Sequence, residues 1–316
     1  PIGGLTLITG MSGSGKSTLV RDVLKPAVNN YFGLYSKENK NYGNINISNK
    51  NLKKLEFIDQ NPIGKSSRSN PSTYIKVYDD IRKLFASQPL AIIRNYTPGY
   101  FSFNVEGGRC QICKGEGEIT VEMQFMANVY LQCEQCKGKR FKEEILEIEI
   151  SNKNIADILN LSVNEAIKFF DENKKILIAK RIQPLKDVGL GYVKLGQSSN
   201  TLSGGEAQRI KLALFLSKGN TAEKTLFIFD EPTTGLHFHD INKLLNSFYA
   251  LIEKGHSIIC IEHNMDVIKC ADWIIDLGPE GGENGGKIVF EGTPEEIINS
   301  KRSITGEYLK RKFNYL

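Results

Sequence analysis

Short apolar runs alternate with amphipathic stretches along the chain, and they outline its elements before any motif is considered. Thr6-Leu-Ile-Thr9 reads as a buried strand, and residues 17–24 read as a helix that Pro26 should stop. A second strand is expected over residues 55–60. A helix is expected over 74–86, where Ile75, Val77, Tyr78, Ile81, Leu84 and Phe85 keep helical spacing. Period-two alternation of Ile119, Val121 and Met123, and again of Leu146, Ile148 and Ile150, predicts two half-exposed strands. Ser162-Val-Asn-Glu165 is a capping-box sequence opening a helix to Phe170, and Thr293-Pro-Glu-Glu296 is a second one, with Pro in the first turn. Further helices are expected over 176–185, after Gly205 and over 240–254, and further strands over 225–229, 257–261, 273–277 and 287–290. Residues 31–51 are rich in Asn, Lys and Gly and read as an irregular loop with a short hairpin near Ile45 and Ile47. Strand and helix therefore alternate at both ends of the chain, the pattern of an α/β domain.

The strand ends carry the chemistry. Gly10-Met-Ser-Gly-Ser-Gly15-Lys16-Ser17 stands at a strand-to-helix turn, the context of a phosphate loop. Glycines there let successive N–H groups approach a polyphosphate at a helix N-terminus, Lys16 reaches the outer phosphates, and Ser17 offers an oxygen to Mg²⁺. Leu202-Ser-Gly-Gly-Glu206 places Ser203, Gly204 and Gly205 before a helix, a second N-terminus suited to an anion. The strand ending in Asp230-Glu231 has the arrangement needed to hold Mg²⁺ with Asp230 and to let Glu231 polarise a water. His263 follows another strand, in position to meet a terminal phosphate. Gln60, also at a strand end, suits a metal ligand or a water-positioning group, and equally an ordinary strand terminus.

Cys110-Gln-Ile-Cys113 and Cys133-Glu-Gln-Cys136 have the spacing of a four-thiolate zinc site, and Lys-Gly after each pair allows the tight turn of a knuckle. With four protein ligands the metal would be structural; an iron–sulfur cluster is the alternative. Cys260 and Cys270 lack such spacing and read as core. Six cysteines used in this way fit a reducing compartment, and a cytoplasmic location is expected.

The formal net charge of +5 is too small to argue a nucleic-acid partner by itself. Residues 37–76, with eight Lys or Arg against three acids, account for the whole excess and read as a solvated loop face. Residues 104–144 hold six Lys or Arg against seven acids, so phosphate contact there is confined to Lys137, Lys139, Arg140 and Lys142 around Phe141. No apolar run approaches the roughly 20 residues of a bilayer span, and no signal-peptide layout is present. The chain opens at Pro1, without Met, directly before the phosphate-loop strand, as expected of a piece of something longer.

Phosphate loop, Gln60, the Leu202 motif, Asp230-Glu231 and His263 occur in the order of the ABC-type ATPases, which the chain resembles. More narrowly, Asp59-Gln-Asn-Pro-Ile-Gly64, the cysteine module, Gly189-Leu-Gly-Tyr-Val-Lys-Leu-Gly196, Asp230-Glu-Pro-Thr-Thr-Gly-Leu-His237 and Ile274-Ile-Asp-Leu-Gly-Pro-Glu-Gly281 resemble the C-terminal ATPase half of the UvrA family, the damage-recognition subunit of bacterial excinuclease ABC. The resemblance implies an ABC-type ATPase core of residues 1–62 and 202–316. It also implies an inserted helical signature subdomain, 63–201, carrying the zinc module at about 101–144. It assigns ATP phosphates to Gly10, Ser12, Gly13, Ser14, Gly15, Lys16, Ser17 and Thr18, and Mg²⁺ to Ser17, Gln60 and Asp230. Glu231 assists hydrolysis, His263 senses the γ-phosphate, and Ser203, Gly204 and Gly205 reach the γ-phosphate of an opposing site.

Implied partners are damaged double-stranded DNA, a second ABC module, a homodimer partner, and UvrB through a first half not contained here; no membrane is implied. The expected function is ATP-driven closure that moves the zinc-bearing subdomain on DNA during nucleotide excision repair. The ATPase of a membrane ABC transporter and a UvrA-like resistance or regulatory paralogue stand as alternatives.

Overall fold

The structure is a computed structural model that describes residues 1–33, 45–48, 51–64, 66–121, 123, 129–218 and 223–313. Much of the loop expected over 31–51, with the partners of any hairpin at Ile45 and Ile47, lies outside the described residues, as do parts of the basic 37–76 stretch and Glu122. Among the described residues the strands are β1 (Leu5–Gly10), β2 (Leu52–Ile58), β3 (Glu118–Val121), β4 (Val129–Gln132), β5 (Glu149–Ile150), β6 (Lys153–Asn154), β7 (Lys224–Asp230), β8 (Ser257–Ile261), β9 (Trp273–Gly278) and β10 (Lys287–Gly292). Two compact units divide the chain: Pro1–Gln60 with Lys218–Leu316, and Asn61–Ser217 between them.

The first unit is built on a six-stranded sheet of order β10-β9-β1-β8-β7-β2. All pairings are parallel except β10 with β9, so β1, β2, β7 and β8 deliver their C-terminal ends to one edge. Strands covered on both faces are apolar almost throughout, as in the Leu226 to Phe229 run, which is buried along its length. A core of Ile8, Val20, Val28, Leu52, Leu55, Leu226, Ile228, Ile261 and Leu277 joins the sheet to the helical stretch after β1. That stretch runs past Pro26 to Tyr31, through Lys16–Thr18, Leu19–Leu24 and Lys25–Tyr31. A wider turn, with Lys25 N–H reaching Val20 O, lets the helix change register just before the proline. The helix thus continues where an ordinary interior proline would stop it.

The second unit is mainly helical, with buried Tyr78, Phe85, Phe101, Phe103 and Phe141 at its centre. Tyr78 stacks on Phe103 with centroids 4.9 Å apart and donates its hydroxyl to Phe101 O at 2.7 Å, and burial pushes its pKa up. The single helix expected over 74–86 is two, Pro71–Tyr74 and Tyr78–Ala86, separated by Lys76 at φ 62°. The strand expected at Leu146, Ile148 and Ile150 is a turn of helix, Glu143–Leu146, followed by the β5–β6 hairpin. Ser151 and Asn152, both at positive φ, make the tight two-residue connection that the period-two reading did not include. The long helix Gly204–Ser217, expected with the ATPase core, packs on Ile176–Asp187 and Pro71–Tyr74 and belongs to this unit.

Candidate functional site

Gly10, Gly13 and Gly15, at φ 129°, 78° and 93°, turn the chain from β1 into the helix. A Cβ on Gly10 would lie 2.1 Å from Leu277 O, so the loop follows this path only with glycine there. Lys16 is almost fully buried and folds across the loop, donating to Gly10 O at 2.8 Å and Met11 O at 2.7 Å. Burial lowers its pKa, while Glu231, Asp276 and Asp230 act in the opposite sense. A second glycine run supports the loop from behind: Gly282 N–H donates to Gly13 O and Gly286 N–H to Ser14 O, each at 3.1 Å. With two carbonyls so engaged, and the buried Ser14 Oγ without a partner in the protein, the loop retains donors for an anion.

The other strand ends converge on the same place. A cavity of about 650 Å³ is lined by residues of the loop, including Ser12, Ser17 and Thr18, together with Glu231 and His263. His263 Nε2 stands 3.7 Å from Glu231 Oε1. Glu231 is a non-glycine residue at φ 47°, held by its N–H to Ile261 O at 3.0 Å and by Gln60 Nε2 donating to its carbonyl at 3.4 Å. Asp230, nearly buried, is ion-paired with Arg21. Ser17 lines this cavity and Asp230 directly precedes Glu231 at the end of β7, so oxygen donors of the hard kind that Mg²⁺ prefers stand at these strand ends.

Three residues of this region were not singled out from the sequence. Arg21 pairs with Asp230; Glu262 is wholly buried beside His263; and Asp276, also buried, accepts from Thr9, Ser303 and Thr305. Arg21 and Asp230 are 209 residues apart, Thr9 and Asp276 267, and Thr233 and Glu262 29, so no local pattern marks these pairs.

In the second unit, Ser203 opens the helix Gly204–Ser217. Its N–H and hydroxyl donate to Glu206 Oε2 at 2.8 and 3.0 Å, and Tyr192 donates to Oε1 at 2.7 Å. Burial opposes the charge on Glu206, but these bonds and Arg209 outweigh it and lower the pKa.

The four cysteines of the same unit are buried, and their sulfurs lie within 4.8 Å of one another. Cys110 and Cys133 sulfurs are 3.9 Å apart, and those of Cys113 and Cys136 3.6 Å. A tetrahedron with metal–sulfur bonds of about 2.3 Å has edges of about 3.8 Å, so the set fits one tetrahedral ion. Lys114-Gly115 and Lys137-Gly138 all have positive φ, as the knuckle turns require, and Gly117 N–H donates to Cys113 Sγ at 3.3 Å. Burial raises Cys113 and pushes Cys136 up to about 12. For Cys133, burial acts upward, but hydrogen bonds led by Cys136 N–H bring it to about 7.

The expected basic cluster divides. Lys137 and Lys139 are exposed, and Lys142 is partly so, 3.8 Å from Glu144. Arg140 instead lies over the Phe103 ring at 5.4 Å and donates to Gly196 O at 3.1 Å. Its guanidinium is used inside the unit rather than presented to a phosphate.

No protein-family model matches the chain. UvrABC system protein A of Aquifex aeolicus is 55% identical over 313 residues, and that of Clostridium perfringens 53% over 311; each match covers 98% of this chain and 33% of the relative. The chain thus spans about a third of the length of these relatives. The crystal structure of UvrA2 from Deinococcus radiodurans superposes with a TM-score of 0.89 at 44% identity, covering 98% of this chain and 37% of that one. The resemblance drawn from the motifs is borne out: over nearly its whole length the chain is similar to part of the UvrA proteins, with the same fold.

Proposed function

We propose that the chain is an ATP-binding and ATP-hydrolysing module, the C-terminal ATPase part of a UvrA-type protein that recognises damaged double-stranded DNA in nucleotide excision repair. The observation that carries this reading is the convergence of the phosphate loop, Glu231 and His263 on one cavity. Loop N–H groups and Lys16 hold the phosphates of ATP. Ser17, Asp230 and Gln60 hold Mg²⁺, which when bound offsets phosphate charge. Glu231 takes the proton of the attacking water, and His263 contacts the terminal phosphate.

Ser203, Gly204 and Gly205 serve the phosphates of an opposing module, in the same protein or in a homodimer partner. Zn²⁺ in the four-cysteine cluster holds the knuckles together as a structural ion. Lys137, Lys139 and Lys142 contact the DNA backbone, and UvrB engages through regions outside this chain. Six free cysteines accord with action in the cytoplasm. Among the described residues, no helix is long and apolar enough to cross a membrane.

The test is hydrolysis and DNA binding measured together. ATPase activity per molecule should rise with protein concentration, or on adding the remainder of the protein. Affinity for damaged over undamaged duplex should change with nucleotide. Hydrolysis independent of concentration, with no nucleotide effect on DNA binding, would refute the coupled function.

A further inference from the structure

Glu262 is 0% exposed and follows β8, between Ile261 and His263. Its Oε1 accepts the Thr233 N–H at 3.0 Å and the Thr233 hydroxyl at 2.7 Å. Its Oε2 accepts the N–H groups of His263 at 3.0 Å and Asn264 at 3.1 Å. Each oxygen thus takes two donors, and the carboxylate is filled from within the protein, as a buried charge requires.

The two ends of this bridge belong to the two groups that face the cavity. Thr233 lies in the turn begun by Glu231, whose carbonyl accepts Thr234 N–H at 3.2 Å and whose N–H donates to Ile261 O at 3.0 Å. Three successive residues, Ile261, Glu262 and His263, therefore hold the Glu231 turn at two points and present the imidazole at a third. Glu262 itself does not line the cavity, whereas Glu231 and His263 do.

From this geometry we propose that Glu262 is a positioning residue of the hydrolytic site, locking the Glu231–His263 pair into one arrangement. The proposal rests on the ATPase reading above. In Glu262→Gln the amide turns an NH₂ toward two donors, so one arm of the bridge opens while volume is conserved. A displacement near 1 Å at a reacting group can cost about 10²-fold, so kcat should fall by about that factor. The phosphate loop is untouched, so affinity for Mg–ATP should change by less than about threefold, the signature of a loss felt in the chemical step. Thr233→Val removes only the hydroxyl arm and should lower kcat by a smaller factor. In a His263→Ala background, Glu262→Gln should cost less than it does alone, because part of its effect passes through His263.

The measurements are single-turnover hydrolysis and nucleotide binding in the full natural protein, with rates normalised to sites that bind nucleotide. Parent kcat in both Glu262→Gln and Thr233→Val would overturn the proposal, as would affinity falling in step with rate, which marks general loss of packing. Should Glu262→Gln fail to fold, Thr233→Val decides. An inactive parent would refute the ATPase reading and the proposal with it. An active parent with equally active bridge variants refutes the proposal alone.

Discussion

Replacing Asp276 by alanine should destabilise the first unit more than its distance from the cavity suggests. Asp276 is 1% exposed on β9, and its Oδ1 accepts the hydroxyls of Thr9 at 2.6 Å and Thr305 at 2.8 Å. Oδ2 accepts Ser303 at 2.6 Å, and Ser303 Oγ in turn accepts Gly306 N–H at 2.8 Å at the start of the helix Ile304–Phe313. Thr9, Ser303 and Thr305 are all at least nine-tenths buried. Each hydroxyl deprived of its partner costs about 1–3 kcal/mol, and with some re-pairing the total is about 3–5 kcal/mol. In a domain of 150–250 residues, 1 kcal/mol shifts Tm by about 2–4 °C, so a fall of about 6–20 °C is expected. Asp276→Asn keeps an acceptor for Thr9 and Thr305 and should lose less than half as much. Because Thr9 directly precedes Gly10, ATP affinity should weaken in the alanine variant as well. Thermal and denaturant unfolding of both variants, with nucleotide binding on the same samples, checks this. A loss below about 1 kcal/mol for Asp276→Ala, the scale of an average substitution, would refute the assignment of Asp276 as the hub of this network.

Glu231→Gln should retain ATP binding and slow hydrolysis by about 10²–10⁴-fold, whereas Asp230→Asn should weaken Mg²⁺-dependent binding itself. Parent-rate turnover in Glu231→Gln would reverse the role given to it. Cys110→Ala or Cys136→Ala should abolish metal binding and unfold the cysteine module while nucleotide binding persists, since zinc in such sites contributes about 10–16 kcal/mol of apparent binding energy, much of it as folding. Elemental analysis and limited proteolysis read the two effects separately. Lys139→Ala should reduce the salt slope of DNA binding by about 0.9 per lost phosphate contact. Arg140→Ala should instead lower the melting temperature, because it removes the bond to Gly196 and the stack on Phe103; the opposite pattern would return Arg140 to the DNA-facing set.

Features set by near neighbours in sequence were legible in it. The phosphate loop needs glycine at fixed offsets and a lysine one residue into a helix, and β1 and its helix supply both flanks. Each knuckle is likewise local, as are the capping boxes at Ser162 and Thr293, which open helices at the expected residues. What escaped were pairings between distant positions. Glu262 and Asp276 carried no motif of their own, because Thr233, for the one, and Thr9, Ser303 and Thr305, for the other, become neighbours only when the chain folds. Arg140 misled for a related reason: its charge and its neighbours Lys137 and Lys139 suggested a surface cluster, while Phe103 and Gly196, which capture it, lie 37 and 56 residues away. Pro26 stopped a helix on paper only because the register change at Lys25 cannot be read from side-chain periodicity.

The order of strands in the sheet also bears on how the protein is made. β1, which precedes every other strand of this sheet in the sequence, sits between β8 and β9, and its Leu5 pairs with Ile258. Its hydrogen-bonding edges stay empty while roughly 250 further residues are translated, about 12–50 s at ordinary elongation rates. Throughout that interval, Leu5 to Thr9 is an apolar segment without its native partners, open to non-native strand pairing or to capture by a chaperone. The intervening Asn61–Ser217 unit emerges complete within the wait, and its folding shortens the span that must close before β1 finds its place. Delay in translation before β7 would therefore lengthen the exposure of the first strand.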